Sequence, residues 1–248
     1  MITYCDRHLG DQLVFLNWLR RVAASTPVPH VHFAPDEYLP QLREVVEDIH
    51  NIELAPLSAK PASAVDVWIN RNGDHYTNPT RDDWAAHHIE HFARLARDLG
   101  VENPVTTVDD LLFDFPRLRA REYPAFDFLV INSAPHSEQF RGFNAAVFDI
   151  LIAQLRDRGA VITTGPSYTG VPTTLNYDGR ILTVADIGSL SINCKHIIGV
   201  LTGPVWATFN VWNKTVPRIF FSDREHVNLT PNTTHVTSIN AALAHLPW

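Results

Sequence analysis

The stretch His196-Ile-Ile-Gly-Val-Leu201-Thr202-Gly203-Pro204 carries the pattern that best predicts the fold of this 248-residue chain. Its first six residues are almost all apolar, which is typical of a strand buried on both faces of a parallel sheet. Thr202, Gly203 and Pro204 then predict a tight turn, and residues 205–212 are predicted to form a helix. A strand that passes through a short turn into a helix is the repeating unit of α/β proteins.

The second half of the chain repeats this unit on both sides of that stretch. Phe126-Asp-Phe-Leu-Val-Ile131 is another apolar run, and apolar residues at helical spacing follow it over residues 144–158. The other predicted strands are residues 160–164, 181–184 and 216–221, and the other predicted helices are residues 187–194 and 238–246.

The first half shows the same alternation. The predicted strands are residues 2–5, 28–33, 49–54 and 65–69, and the predicted helices are residues 12–24, 39–46 and 84–99. Residues 117–125 are polar, with prolines near both ends, which predicts an interdomain linker. We therefore expect an α/β protein with two facing Rossmann-like, doubly wound domains, residues 1–120 and 121–248, and an interdomain cleft.

The composition argues against several classes of protein. Apolar residues make up 45% of the chain and charged residues 19%, which favours a packed core over disorder. The formal net charge of −7 argues against a general nucleic-acid binder, which usually has a basic face. The N-terminal residues lack the pattern of a signal peptide, and no apolar run has the length of a transmembrane helix. With Cys5 and Cys194 predicted as buried thiols, we expect a cytoplasmic protein with no nucleic-acid partner and at most peripheral membrane contact.

The turn at Thr202-Gly203-Pro204 is a candidate anion site. The first N–H groups of a helix have no partners within the helix, and the helix dipole adds partial positive charge there. Gly203 would let a phosphate approach the backbone, and Pro204 has no N–H to leave unpaired. Thr202 would cap the helix or bond a phosphate oxygen through its hydroxyl. The alternative is an ordinary capped helix that binds nothing.

A second candidate site is His8-Leu-Gly-Asp11, between the first predicted strand and the first predicted helix. Asp11 is predicted either to cap that helix or to act as a general base on an acceptor hydroxyl. A contact between His8 and the substrate is the alternative functional role of this loop.

Two further loops follow predicted strands and are expected at the same cleft. Arg141 would pair with a diphosphate in forked geometry, or it is a solvated surface arginine. Tyr168, in the loop that begins at Gly165, would stack on a base, or it simply packs against the protein. His136 and Glu138 would be the centre of a different α/β enzyme of sugar or nucleotide metabolism.

The 13 histidines do not predict a metal site. His30 and His32 alternate along a predicted strand, and His87 and His91 share one face of a predicted helix. No HExxH motif and no paired Cys-His spacing accompanies them. GxSxG, P-loop and GxGxxG motifs do not occur in the sequence either, so we expect no metal and no other cofactor.

Several of these segments resemble glycosyltransferases of the GT-B type, specifically the ADP-heptose:lipopolysaccharide heptosyltransferase type of glycosyltransferase family 9. The first loop of that family resembles residues 8–11. Its nucleotide-binding domain resembles residues 128–134 and 161–165, and its signature segment resembles residues 189–204, followed by residues 216–221.

The resemblance implies transfer of a sugar from a nucleotide-diphospho-sugar donor to an acceptor hydroxyl of a glycan or glycolipid, in surface polysaccharide synthesis. It implies that Asp11 is the catalytic base, and His8 is the second candidate catalytic residue. The nucleotide and its diphosphate would be held by Thr202, Gly203, Pro204, Arg141, Ser133, Gly165 and Tyr168. The chain departs from the family at Leu201, where an acidic residue is usual, and at Trp206, where histidine is frequent. A non-catalytic nucleotide- or sugar-binding relative is therefore the alternative.

Overall fold

The computed structural model describes residues 1–69, 84–135, 140–223 and 227–246. The chain divides into two compact units, unit 1 over Met1–Pro116 and unit 2 over Arg117–Trp248. Within the described ranges, no helix combines the length and the apolar composition needed to cross a bilayer.

Unit 1 is built on a parallel sheet of four strands in the order β3-β2-β1-β4. Strands β2 and β3 follow on one side of β1, whereas β4 lies on its other side, so the switch point of this sheet lies between β1 and β4. The strands are β1 (Ile2–Tyr4), β2 (His30–Ala34), β3 (Ile52–Pro56) and β4 (Val65–Asp66), and the helices are α1 (Leu9–Ser25), α2 (Leu39–Val46) and α3 (Trp84–Leu99).

Helix α1 begins at Leu9, earlier than the sequence predicted. Gly10 and Asp11 were expected in a loop, but they lie in its first turn, after the extended residue His8. The core of unit 1 forms around the face of α1 that carries Leu13 and Leu16, both fully buried. The loop between β1 and α1 is consequently short and lies at the carboxyl end of β1.

Unit 2 contains a parallel sheet of five strands in the order β6-β5-β7-β8-β9. Counted within unit 2, this is the order 2-1-3-4-5 of a doubly wound α/β fold, with its switch point between β5 and β7. The strands are β5 (Phe126–Ile131), β6 (Val161–Thr163), β7 (Cys194–Val200), β8 (Arg218–Phe221) and β9 (Thr233–Val236), and the helices are α4 (Ala145–Arg156), α5 (Val184–Ile192) and α6 (Ile239–Ala244).

Gly199 allows β5 and β7 to pair closely at the switch point. It pairs with Ile131, the last residue of β5, and a Cβ atom at this position would collide with the Ile131 carbonyl oxygen. Any larger residue at position 199 would therefore push β5 and β7 apart. The carboxyl ends of the parallel strands of unit 2 lie along one edge of the sheet, called here its carboxyl edge.

The segment 117–125, predicted as an interdomain linker, begins where the two units divide, and it packs against unit 2. Leu118 is fully buried, and its carbonyl oxygen accepts a hydrogen bond from the Ser189 hydroxyl at 2.7 Å. Asp186 in α5 binds Arg121 at 2.8 Å and the Tyr123 hydroxyl at 2.7 Å. Arg121 and Tyr123 are thus paired within unit 2, which polar composition alone could not indicate.

Two predictions in unit 2 were wrong, and one strand was missed. Residues 181–184 do not form a strand, because Thr183 caps α5 with its side chain. The helix predicted at 205–212 is a 3-10 helix over Gly203–Thr208. Strand β9 was not predicted at all.

Candidate functional site

The carboxyl ends of β1 and β4 bring several charged and aromatic side chains together in unit 1. Asp11 is partly buried in the first turn of α1. Burial raises the pKa of the Asp11 carboxyl above its ordinary value, while His8 and a hydrogen bond from the Trp68 side chain act in the opposite direction. A carboxylate with a raised pKa that is held by specific neighbours is typical of functional sites.

His8 lies close enough to the Asp11 carboxylate to lower its pKa. His8 is exposed and precedes the first residue of α1, but its side chain does not cap the helix. It remains a candidate for substrate contact. Asp11 does not take the N-cap position either, so the alternative that it is simply the helix cap is wrong.

Trp68 and Arg7 complete this edge of unit 1, and the sequence analysis missed both. The Arg7 guanidinium lies over the Trp68 ring, 3.8 Å from its centroid, and Arg7 also pairs with Asp6 at 3.1 Å. The signal that could have found them is position: Arg7 follows β1 and Trp68 follows β4, the two strands at the switch point.

Tyr38, after β2, extends the same group. Burial raises the pKa of its phenol, the nearby charges of Glu37 and Asp11 raise it further, and a backbone hydrogen bond from Leu9 lowers it. A protonated phenol beside the first turn of α1 can donate a hydrogen bond to a bound molecule.

In unit 2, the described residues that come directly after β5, β6 and β7 carry neutral hydrogen-bonding groups. Asn132, directly after β5, accepts a hydrogen bond from the Gly165 N–H at 2.6 Å and donates to the Pro166 carbonyl at 3.2 Å. The Ser133 and Thr164 hydroxyls are hydrogen bonded to each other at 3.1 Å. The structure thus brings Ser133 and Gly165 together at the end of β5.

Thr202 follows β7, so it leaves the sheet beside the segment that follows β5. The Thr202 residue is only 9% exposed, and its hydroxyl oxygen has no hydrogen-bond partner. A buried hydroxyl without a partner costs about 1–3 kcal/mol unless a bound group satisfies it. This is the one feature of the predicted nucleotide-binding set that itself calls for a ligand.

The 3-10 helix after Thr202 changes the expected role of the turn. It has only six residues, and Thr202 makes no side-chain cap. So short a helix lacks the dipole on which the predicted anion site depended. Gly203 and Pro204, which were predicted in the turn before the helix, lie in its first turn, and their contribution is limited to backbone groups.

Leu201 and Trp206, the two departures from the family pattern, both pack into the interior. Leu201 is 1% exposed and Trp206 is 8% exposed. Leu201 therefore offers no surface to a bound sugar, and any polar contact at this end of β7 comes from Thr202.

Arg141 and Tyr168 are placed differently from the residues at the strand ends. Arg141 is exposed, and its backbone N–H donates to the exposed carboxylate of Asp223 at 2.8 Å. Tyr168 is fully exposed and its backbone N–H donates to Asp149 in α4 at 3.3 Å. The alternative that the Tyr168 ring packs against the protein is therefore wrong. His136 and Glu138 lie outside the described residues.

The helical histidines of unit 1 hydrogen bond to the backbone. His88 contacts the Trp84 carbonyl oxygen at 3.0 Å and His91 contacts the Val67 carbonyl oxygen at 3.1 Å. Across the part of the chain that the structure describes, no group of three or more histidine, cysteine, aspartate or glutamate side chains could hold a metal ion.

Comparisons of sequence found no protein family whose profile matches the chain and no curated protein that matches it. Comparison of structures did find matches. One is TibC, an iron-containing dodecameric glycosyltransferase of enterotoxigenic E. coli H10407, with 16% identity over 94% of this chain and a TM-score of 0.56. The chain spans 61% of the length of TibC.

Two other similar structures cover more of their own length. The E. coli heptosyltransferase WaaC, with ADP-2-deoxy-2-fluoro heptose, shares 13% identity over 98% of both chains, with a TM-score of 0.61. A family 9 glycosyltransferase from Veillonella parvula DSM 2008 shares 11% identity over 98% of this chain and 87% of its own, with a TM-score of 0.53. At these identities the comparison shows the fold: the chain has the α/β fold of the family 9 glycosyltransferases and ADP-heptose heptosyltransferases, with a parallel sheet in each unit.

Proposed function

We propose that the protein is a glycosyltransferase that moves a sugar from a nucleotide-diphospho-sugar donor to a hydroxyl of a glycan or glycolipid acceptor, in surface polysaccharide or glycolipid synthesis. The observation that carries this proposal is the buried, unpartnered Thr202 hydroxyl at the switch point of unit 2. Ligands of doubly wound sheets bind at that point, beyond the carboxyl ends of the strands. The fold shared with ADP-heptose heptosyltransferases supports the proposal.

In this proposal unit 2 holds the donor. The Thr202 hydroxyl donates to a diphosphate oxygen, and Ser133 with the backbone N–H of Gly203 contacts the same group. Gly165, whose N–H donates to Asn132, lies beside it. Arg141 and Tyr168 are more exposed, and they would contact the outer parts of the nucleotide. Neutral donors are suited to a diphosphate because they bind its charge without adding a counter-charge that must be desolvated.

In unit 1, Asp11 acts as the general base. Its carboxylate takes the proton of the acceptor hydroxyl as that oxygen attacks the anomeric carbon of the sugar. The bond between the anomeric carbon and the diphosphate oxygen breaks, and the nucleoside diphosphate leaves with the electron pair. The raised pKa of Asp11 supports this role, since a stronger base accepts the proton more readily. His8 lies beside the carboxylate and would contact the acceptor.

The proposed location is the cytoplasm. Cys5 and Cys194 are both buried free thiols, which is the usual state of cysteines in a reducing compartment.

A matched pair of threonine variants tests the donor site. Thr202→Val removes the unpartnered hydroxyl, whereas Thr208→Val removes a buried hydroxyl that donates to the Val205 carbonyl at 2.6 Å. Without ligand, we expect Thr202→Val to stabilise the chain slightly and Thr208→Val to destabilise it by about 1 kcal/mol. Thermal shifts with a panel of nucleoside diphosphates and their sugars, ADP-heptose included, then report binding.

A specific ligand at a hundredfold excess over its dissociation constant stabilises the native chain by about 2.7 kcal/mol. We expect Thr202→Val to weaken that ligand about ten- to hundredfold and Thr208→Val to leave its affinity unchanged. If no nucleotide shifts the native chain at millimolar concentration, the proposal fails. If one binds but no sugar is transferred to any acceptor, the chain is the non-catalytic relative.

A further inference from the structure

The side chain of Gln12 connects helix α1 to the loop that precedes it. Gln12 is fully buried, and its amide nitrogen donates to the Cys5 carbonyl oxygen at 2.8 Å and to the Arg7 carbonyl oxygen at 3.2 Å. Cys5 and Arg7 lie in the loop between β1 and α1. Both N–H bonds of one amide are thus used to hold a loop whose remaining residues include His8.

His32 in β2 holds the other end of the same amide. Its Nε2 atom lies 3.1 Å from the Gln12 Oε1 atom, and its Nδ1 atom lies 3.0 Å from the Thr3 hydroxyl oxygen. His32 is fully buried, and burial lowers its pKa to about 3. The ring is therefore neutral at physiological pH and carries one proton on one of its two nitrogens.

The hydrogen bonds that link Gln12, His32 and Thr3 have only one consistent set of donors and acceptors. The two carbonyl oxygens of the loop require the NH₂ group of Gln12, so its oxygen faces His32. His32 must then donate from Nε2, which leaves Nδ1 as an acceptor for the Thr3 hydroxyl. Every polar atom that these three side chains direct at one another is satisfied, and such a network favours a single geometry.

The network is anchored on the sheet. Thr3 and His32 are register partners in the paired strands β1 and β2. These hydrogen bonds tie the loop to two paired strands. They therefore limit the movement of the loop more than a contact with another loop would. The first turn of α1, which carries Asp11, follows the loop directly.

We propose that Gln12 is a positioning residue for Asp11, held in place by His32 and Thr3. It fixes the loop that places Arg7 and His8 beside the Asp11 carboxylate, and it closes that loop over the first turn of α1. This inference rests on the proposed role of Asp11 as the base. Gln12 itself is buried and does not touch the substrate.

Gln12→Met tests the proposal, because methionine has a similar length but cannot donate to the two carbonyls or accept from His32. Two measurements on the full chain report the result: hydrogen exchange in a peptide that spans residues 5–11, and the titration of the Asp11 carboxyl followed by carbon NMR. We expect exchange in that peptide to rise at least tenfold. We also expect the pKa of Asp11 to move toward its ordinary value as water reaches the carboxyl.

Two further variants complete the test. The first provides a result even if Gln12→Met does not fold, and the second is a control. Thr3→Val removes only the far end of the network, so we expect a smaller rise in exchange in the same peptide. Gln154→Met, at a partly buried position of α4 in unit 2, is the matched control and is expected to change neither measurement.

Unchanged exchange and an unchanged Asp11 titration in folded Gln12→Met would overturn the proposal. An equal rise across β1, the loop and β2 would also overturn it, because that result means general destabilisation. Nucleotide binding is measured in the same variants and is expected to stay at the native level. Absence of nucleotide binding in the native chain would count against the proposed function and not against the role of Gln12.

Discussion

The carboxyl edges of the two sheets differ in chemistry although both belong to parallel sheets with a switch point. In unit 1 the edge carries titratable and charged groups, among them Asp11, Arg7 and His8, next to Trp68. In unit 2 the described residues directly at the strand ends are neutral, with amide and hydroxyl groups that bond to one another, and Thr202 has a hydroxyl without a partner.

This difference suggests a division of labour between the two edges. A fixed set of neutral donors can bind an anion that arrives already charged. A partly buried carboxylate whose pKa is raised by burial is a stronger base than an ordinary aspartate, which suits a general base. Each of the following experiments changes one edge and uses the other as its reference.

The largest effect is expected from Asp11→Asn. Asparagine keeps the size of the side chain but cannot accept the proton, so the transfer rate should fall about 10²- to 10⁴-fold. Nucleotide binding, measured by thermal shift, should stay at the native level because it belongs to unit 2. A variant with native turnover would remove Asp11 from the mechanism.

The pH dependence of the native rate gives a second view of the same residue. Because the pKa of Asp11 is raised by burial, the rate should fall with decreasing pH at a higher pH than an ordinary aspartate would produce. A rate that stays constant down to pH 4 would show that the base has a lowered pKa and would contradict this prediction.

The next prediction compares how much stability each of the two units loses in acid. The pKa of His32 is lowered by burial to about 3, so the unfolded chain binds its proton first, near pH 6.5. The stability of unit 1 should therefore fall as pH decreases from 6.5, by about 3 kcal/mol at pH 4, since each pH unit is worth about 1.4 kcal/mol.

Unit 2 should lose less stability than unit 1 over the same pH range. Burial raises the pKa of Asp186, but hydrogen bonds from Tyr123 and Thr183 outweigh it, so the pKa lies below its ordinary value of 3.8 and the stabilisation is lost only below about that pH. His196 is half-buried and its lowered pKa acts in the same direction as that of His32, which His196→Gln would reveal. Hydrogen exchange at pH 7 and pH 4 compares the units, and equal losses in both would contradict this prediction.

Long elements with clear apolar patterns were predicted well. Helix α3 and strand β5 have the bounds that the sequence indicated. The apolar residues of α3 recur at helical spacing and Gly100, with φ of +67°, follows its last residue, whereas β5 is a short apolar run that is buried over most of its length. Strand β9 was missed because Thr233–Val236 is polar and only partly buried at the edge of the sheet.

The candidate site was only partly predictable, for a different reason. Residues that follow strands can be recognised from the order of the elements, and Ser133, Gly165 and Thr202 were found in this way. The partners of a buried side chain cannot be recognised so, because Gln12 and His32 are twenty positions apart and meet only through the pairing of β1 and β2. The same limit hid the contact between Arg7 and Trp68.

A smaller effect is expected at Tyr168. Its side chain is fully exposed, so Tyr168→Ala should leave the stability of the chain unchanged within about 0.5 kcal/mol. If the ring stacks on the base of the donor, nucleotide affinity should fall about fivefold to tenfold. Tyr177→Ala is the control, because that ring contacts Tyr123 and Phe126, so its loss should lower stability without changing affinity. Unchanged affinity in Tyr168→Ala would remove Tyr168 from the nucleotide-binding set.

The smallest effect is expected from Ser133→Ala, which removes one hydroxyl from the neutral edge of unit 2. The Thr164 hydroxyl loses its 3.1 Å partner but keeps the Asn132 N–H at 3.2 Å, so the loss of stability should be about 0.5 kcal/mol. Nucleotide affinity should fall by about twofold to fivefold, less than in Thr202→Val, because the Ser133 hydroxyl already has a partner in the free protein. A larger loss for Ser133→Ala than for Thr202→Val would show that the donor contacts the end of β5 more strongly than the end of β7, and the unpartnered Thr202 hydroxyl would then need another explanation.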